Sequence, residues 1–132
     1  MCWISEYTPY KKTVEKTITV YKYLLKDLKA PIQFYQYIQN KKVPKEILSP
    51  IMGRKGKSNF WYILTGYHSC QNIDSAKNYF DECLLNSYVD GCKLYKCIIP
   101  KGAIYYKNEY GHIVSNTIVV KRKCFNLFGF SF

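Results

Sequence analysis

The sequence predicts a single α+β domain, built mainly from antiparallel strands with one clear helix. The chain has 132 residues, the size of one compact domain, and 48% of them are hydrophobic, which is enough to form a core. Short segments with the two-residue alternation of β-strands recur along much of the chain, and one segment has the apolar spacing of an amphipathic helix. Together these observations exclude a disordered or fibrous protein.

The first strand is predicted at residues 17–25, where β-branched and aromatic side chains alternate. Three prolines interrupt residues 29–50, so that stretch fits either a short strand or a helical turn. Residues 53–58 are expected to form an exposed basic loop, followed by a short apolar strand at 60–64. The first strand is expected to place Thr17, Thr19, Tyr21 and Tyr23 on one face and Ile18, Val20 and Leu24 on the other.

The helix is predicted from about residue 74 to residue 85. Asn72 or Asp74 is the expected N-cap, because either side chain can accept a hydrogen bond from a free N–H of the first turn. The apolar face of this helix is formed by Ala76, Phe80, Cys83 and Leu84.

Three further strands are predicted at residues 93–99, 103–106 and 113–122. Between the first two, a tight turn ends at Gly102, which is expected to take a positive φ. The last strand would point Val114, Ile118 and Val120 one way and Ile113, Thr117 and Val119 the other. The aromatic tail, residues 125–132, is interpreted as a strand or plug on the core; the alternative is a hydrophobic peptide that binds a partner or forms a homodimer.

The chain is strongly basic, with 20 Lys+Arg against 9 Asp+Glu. The charge favours either a solvated lysine surface or contact with a polyanion. Only 2 of the basic residues are Arg, which argues against sequence-specific reading of the major groove. Nonspecific nucleic-acid binding stays open, with Arg54, Lys55 and Lys57 as the candidate phosphate contacts and the aromatic residues 60–62 available to stack on bases.

We expect a cytoplasmic protein that does not enter a membrane. The first residues lack the apolar run of a signal peptide, and no apolar stretch approaches the roughly 20 residues of a spanning helix. The 6 cysteines are therefore expected to be free thiols. No C-x-x-C pair occurs and the two histidines, His68 and His112, lie far apart in sequence, so no metal or cofactor is expected.

No complete catalytic motif is present. Gly56-Lys57-Ser58 resembles the end of a phosphate-binding loop, but Ile51 stands where that motif needs its first glycine. His68 is followed by Ser69, yet neighbours on a strand point to opposite faces, so their adjacency forms no catalytic dyad. The sequence gives little support for acid/base catalysis by paired carboxylates, and Glu109 is the one acidic residue that could be an exception.

One succession of motifs resembles a known family. Gly66-Tyr67-His68-Ser69 precedes the helix, and Ile99-Pro100-Lys101-Gly102 and then Val114-Ser115 follow it. This order is similar to that of a set of small phage and gut-bacterial proteins and, more distantly, to the ADP-ribosyltransferase fold. The resemblance covers about residues 17–122 and implies a split sheet of that type, in a protein of a bacterium or its phage.

The resemblance also implies a ligand cleft. Tyr21-Lys22 falls at the first-strand position of the family's Arg or His, and His68-Ser69 falls at its Ser-x-Ser strand. Ser115 stands where the family has its catalytic Glu, and serine cannot supply the negative charge that transfer needs. A cleft that kept binding and lost transfer is therefore implied, with His68 and Ser115 facing one hollow. The candidate ligand-binding residues are Tyr21, Lys22, Tyr67, His68, Ser69 and Ser115.

The sequence thus favours a non-catalytic binding or interaction protein with a protein or nucleic-acid partner. The alternatives are an active, NAD-dependent ADP-ribosyltransferase and a nonspecific nucleic-acid-binding protein. Each site residue also has a structural interpretation: His68 as a hydrogen-bonded core residue, and Ser115 as a side chain that satisfies a nearby backbone group.

Overall fold

The structure, a computed structural model, describes residues 3–24, 51–55, 58–63, 66–79 and 93–124. In these parts it is an α+β protein in which all paired strands are antiparallel, as the sequence predicts. The elements are β1 (Trp3–Ser5), β2 (Lys12–Thr13), β3 (Ile18–Leu24), β4 (Ile51–Lys55), β5 (Ser58–Ile63), β6 (Tyr67–Cys70), α1 (Ile73–Tyr79), β7 (Lys93–Ile99), β8 (Ile104–Lys107), β9 (His112–Ser115) and β10 (Val119–Lys123).

The described strands form two sheets. The larger has seven strands in the order β10-β7-β3-β6-β9-β8-β2, and the smaller has three in the order β1-β5-β4. Strand β3 lies inside the larger sheet, between β7 and β6, so it pairs with a neighbouring strand along each of its edges.

The alternation predicted for β3 is confirmed. Val20 and Leu24 are fully buried on one face, in a core that includes Cys97 and Ile113. Tyr23 points to the opposite face, toward α1. We call the face that α1 covers the helix face and the opposite one the far face.

Helix α1 begins where the sequence predicts and is capped by Asn72. The backbone N–H of Ser75 donates to Asn72 Oδ1 at 2.8 Å, which satisfies one of the free donors of the first turn. Ala76, predicted to lie on the apolar face, is buried, and Tyr79 is buried beside it. Phe80, Cys83 and Leu84 lie outside the described residues.

The small sheet packs on the helix face through Ile63. This side chain is fully buried against Tyr106 of β8 and Val114 of β9. A second link joins β1 to the loop after β8, where Asn108 Nδ2 donates to the carbonyl oxygen of Ile4 at 2.7 Å.

The expectation of an exposed basic loop at residues 53–58 is wrong for the residues described. Gly53 to Lys55 belong to β4 and Ser58 begins β5, with Gly53 directly opposite Phe60. A Cβ on Gly53 would lie 2.7 Å from the Phe60 ring, so the glycine provides space for an aromatic side chain rather than a bend in the chain.

The prediction of one strand over residues 113–122 is also wrong. The chain forms β9 and β10 instead, and β9 pairs with β6 while β10 pairs with β7. Asn116 marks the break: its side chain accepts from the N–H of Ile104 at 2.9 Å and its N–H donates to the carbonyl of Ile104 at 3.0 Å. These bonds hold the chain where it leaves β9.

The remaining strand predictions agree with the structure. Strand β7 has the predicted bounds, β8 begins one residue later than expected, and Gly102 has φ +90° in the turn between them. No helix in the described parts of the chain is long and apolar enough to cross a membrane. Residues 29–50 and the aromatic tail, 125–132, lie outside the described residues, so both interpretations of the tail, as a core strand or plug and as a partner or homodimer contact, stay predictions.

Candidate functional site

The two residues expected to share a hollow, His68 and Ser115, lie on opposite faces of the sheet. Strands β6 and β9 pair so that His68 is opposite Val114 and Tyr67 is opposite Ser115. Directly paired residues point the same way and successive residues alternate, so His68 is on the helix face and Ser115 on the far face. The prediction of a common cleft is therefore wrong. It requires His68 to lie opposite Ser115, and the observed register differs from that by one residue.

Ser115 belongs to the interior. It is completely buried, and its Oγ donates to the carbonyl oxygen of Thr117 at 3.1 Å, at the corner where β9 ends. Tyr67, paired with it, packs into the far-face core, and burial raises the pKa of its hydroxyl. Ser115 therefore has the structural role of satisfying a backbone group.

The other four candidates surround a small cavity near α1. Tyr21, Lys22, His68 and Ser69 line it, together with five other described residues that include Tyr79 and His112. Its volume is about 10 Å³, room for roughly one water molecule. Four of the six candidate ligand-binding residues therefore line one space, and that space is too small for a substrate.

A more open arrangement begins beside this cavity, in a transverse row across the helix face. Cys70 is opposite both His112 and Tyr21, Tyr21 is opposite Lys96, and Lys96 is opposite Arg122. Five strands thus place one side chain each at the same level: His112, Cys70, Tyr21, Lys96 and Arg122. The row changes from buried and aromatic near β9 to cationic at β10, the terminal strand of the described sheet.

A β-bulge determines which residue of β10 ends this row. Val120 pairs with Cys97 and Arg122 pairs with Lys96, which leaves Lys121 as an extra residue between them. In a regular ladder Lys121 would lie opposite Lys96. The bulge places Arg122 there instead, so a planar guanidinium, which can form two parallel hydrogen bonds to an anion, stands beside Lys96 on the helix face.

The cationic end of the row lines an open hollow beside β7 and β10. Its volume is about 530 Å³. We call it the basic hollow; its described lining residues are Tyr21, Ile73, Lys96, Arg122, Lys123 and Cys124. None of them carries a carboxylate, so the described wall of the hollow is positive.

The electrostatics at Cys124 are consistent with this geometry. Burial raises the pKa of the Cys124 thiol, while the positive charges of Arg122 and Lys96 act on it in the opposite direction. Both cations are therefore near the thiol. Cys124 itself is only partly exposed and its N–H donates to the carbonyl of Leu94 at 2.8 Å, which anchors the end of β10 to β7.

The remaining candidates lie elsewhere. Glu109 is exposed in the turn before β9, where its Oε2 accepts from the N–H of Glu6 at 3.2 Å, far in the strand order from the basic hollow. Arg54 and Lys55 are in β4, but their side chains, like the whole of Lys57, lie outside the described residues. Nucleic-acid contact through those three residues stays a prediction.

Within the described residues, no group of three or more His, Cys, Asp or Glu side chains could hold a metal ion. Cys70, Cys97 and Cys124 are free thiols, as expected. Comparisons with protein families, curated proteins and solved structures find no match for this chain.

The basic hollow was missed by sequence reasoning. The basic run 121–123 is visible in the sequence, and so is the alternation that puts Lys96 and Tyr21 on strands. What the sequence does not reveal is the pairing order of β10, β7 and β3, which brings residues 21, 96 and 122 to one level.

Proposed function

We propose that the protein is a non-catalytic binding protein that takes a phosphate-bearing ligand in the basic hollow. The observation that carries this proposal is the pairing of Lys96 with Arg122 on one face of the sheet, at an open hollow whose described lining has no carboxylate. Two adjacent cations repel each other, and an anion between them relieves that repulsion.

Phosphate suits these two side chains. A guanidinium binds two phosphate oxygens in a fork, and an ammonium contributes a point charge from the side. The net charge of +11 on the whole chain favours the approach of any anion over long distances.

Binding without transfer chemistry is the better-supported alternative. The split-sheet likeness to the ADP-ribosyltransferase fold, in a cytoplasmic protein of a bacterium or its phage, remains part of the proposal and is supported only at the level of two antiparallel sheets and a helix. An active transferase lacks support from this geometry, since the residue at the family's catalytic position, Ser115, is buried on the far face.

The proposal is tested by titrating the protein with inorganic pyrophosphate at low ionic strength, while backbone amide shifts are followed by NMR. The largest shifts are expected for residues around the hollow. Lys96→Gln and Arg122→Gln should each weaken binding about fivefold or more, because each removes a charge-assisted hydrogen bond.

Lys101→Gln is the matched control. Lys101 is exposed in the turn after β7 and does not line the hollow, yet its replacement removes the same charge. If Lys101→Gln weakens binding as much as Arg122→Gln, the attraction is a property of the net charge and the site is wrong. Amide shifts that avoid the hollow would lead to the same conclusion.

A further inference from the structure

We propose that the ligand of the basic hollow is a nucleotide unit, with its phosphate on Lys96 and Arg122 and its base against Tyr21 and Ile73. This inference rests on the proposed function and specifies the ligand of the same site. The inference follows from the lining of the hollow, because one side is cationic and the other is apolar.

The two sides of the hollow would recognise different parts of one molecule. Lys96 and Arg122 lie toward the edge strand, whereas Tyr21 of β3 and Ile73 of α1 contribute an aromatic ring and an aliphatic side chain. Bases stack readily on aromatic side chains, and sugar hydroxyls or carboxylates gain little from such a surface. An anion with a flat apolar part therefore fits better than a purely polar anion.

The spacing along the row supports one nucleotide unit rather than a bare anion. Tyr21 and Lys96 are direct cross-strand neighbours, and so are Lys96 and Arg122. Paired residues in an antiparallel sheet have Cβ atoms about 4.5–5.5 Å apart, so Tyr21 and Arg122 are roughly 10 Å apart across the sheet. A base and its 5′-phosphate span a comparable distance.

The volume of the hollow is also suitable. About 530 Å³ falls within the roughly 300–1,000 Å³ typical of small-molecule and cofactor sites. The hollow is lined by residues of β10, the terminal strand in the order of the described seven-stranded sheet, and the nucleotide there is either free or part of a single strand.

The test compares ligands that share a phosphate and differ in the base. Ribose 5-phosphate, adenosine 5′-monophosphate and a short single-stranded oligoadenylate are titrated at one fixed salt concentration. Binding is followed by amide shifts and by protection of Cys124 from alkylation, measured by mass spectrometry at that cysteine. The mononucleotide should bind roughly tenfold more tightly than ribose 5-phosphate, because the base adds a stacking contact.

Tyr21 provides the matched variants. Tyr21→Phe keeps the ring and should keep the preference for the mononucleotide, whereas Tyr21→Leu should remove most of this preference, so that the two ligands bind with similar affinity. Thermal unfolding of both variants verifies that they fold. Because the readout is the ratio between two ligands, a uniform loss of folded protein does not change it.

The outcomes separate this inference from the proposed function. Equal affinity for ribose 5-phosphate and adenosine 5′-monophosphate, with loss of both in Arg122→Gln, would overturn the nucleotide and leave phosphate binding intact. No binding of any ligand at the hollow would overturn both. Among outcomes that support the inference, equal per-site affinity for the mononucleotide and the oligoadenylate identifies a free nucleotide, and tighter binding of the oligoadenylate identifies a single strand.

Discussion

Cys97 shows how burial in the far-face core changes the pKa and the reactivity of a single side chain. The thiol is fully buried between Val20 and Val120, and burial raises its pKa from 9.0 to about 12. The nearby charge of Lys22 acts in the opposite direction but is the smaller effect. Cys97 is therefore a neutral, unreactive core residue, in contrast to the partly exposed Cys124 at the basic hollow.

This shift predicts a loss of stability at high pH. The unfolded chain loses the Cys97 proton near pH 9, whereas the folded protein retains it until about pH 12. Between these values only the unfolded state is deprotonated, so the free energy of unfolding falls as the pH rises, and the contribution is fully present below pH 9.

Urea unfolding at several pH values between 7 and 10.5 measures this effect. Cys97→Ala should be less stable than the parent at pH 7, because it leaves a cavity, but its stability should decline less steeply above pH 9. Tyr67, whose pKa is also raised, affects both proteins alike, so the difference between the curves reports Cys97. Parallel curves would contradict the assignment.

At the scale of elements, the packing of the paired strands β4 and β5 depends on Gly53, which lies beneath two aromatic rings. Gly53 is opposite Phe60, and a Cβ there would lie 2.7 Å from the Phe60 ring and 3.1 Å from the Tyr62 ring. The two rings are themselves in contact, with centroids 6.0 Å apart. A side chain at residue 53 must therefore displace the rings.

Gly53→Ala is expected to destabilise the protein by roughly 1–3 kcal/mol, the usual range for overpacking. In a Phe60→Leu background the same change should have a much smaller effect, since the ring that the methyl group meets is gone. The double-mutant cycle is measured by urea unfolding. An equal penalty in both backgrounds would attribute the effect to the backbone instead of the ring.

The elements also show how far the sequence could be interpreted. Strands β3 and β7 were predictable because their alternation is long, and Asn72 was predictable as a cap because its side-chain chemistry is local. Strand β4 was missed because a glycine such as Gly53 is typical of loops, and the sequence alone does not show that it faces an aromatic ring in a strand. The site could not be predicted for a different reason: it depends on which strands pair and in which register, and these are long-range choices.

At the scale of the whole molecule, the two sheets meet, within the described residues, at a small apolar cluster. Ile63 of the three-stranded sheet is fully buried against Tyr106 and Val114 of the seven-stranded sheet. This contact, with the Asn108 hydrogen bond to Ile4, couples the small sheet to the rest of the fold.

Ile63→Ala is expected to lower the free energy of unfolding by about 2–5 kcal/mol and to speed amide exchange in β5 more than in β7. Met52→Ala is the control, because Met52 belongs to the same sheet and is 49% exposed. Hydrogen exchange measured by mass spectrometry tests both variants. A uniform rise in exchange over both sheets would show that they unfold as one unit.

The β-bulge in β10 allows this strand to lose one residue and still pair with β7. Val120 and Arg122 pair with adjacent residues of β7, so a chain without Lys121 would keep Val120 opposite Cys97 and Arg122 opposite Lys96. Loss of Val120 would instead leave Lys121 opposite Cys97 and place a lysine in the far-face core, whereas loss of Arg122 would leave Lys121 opposite Lys96 in place of the guanidinium. Loss of one residue should thus be tolerated at position 121, destabilise the fold at position 120 and weaken the basic hollow at position 122.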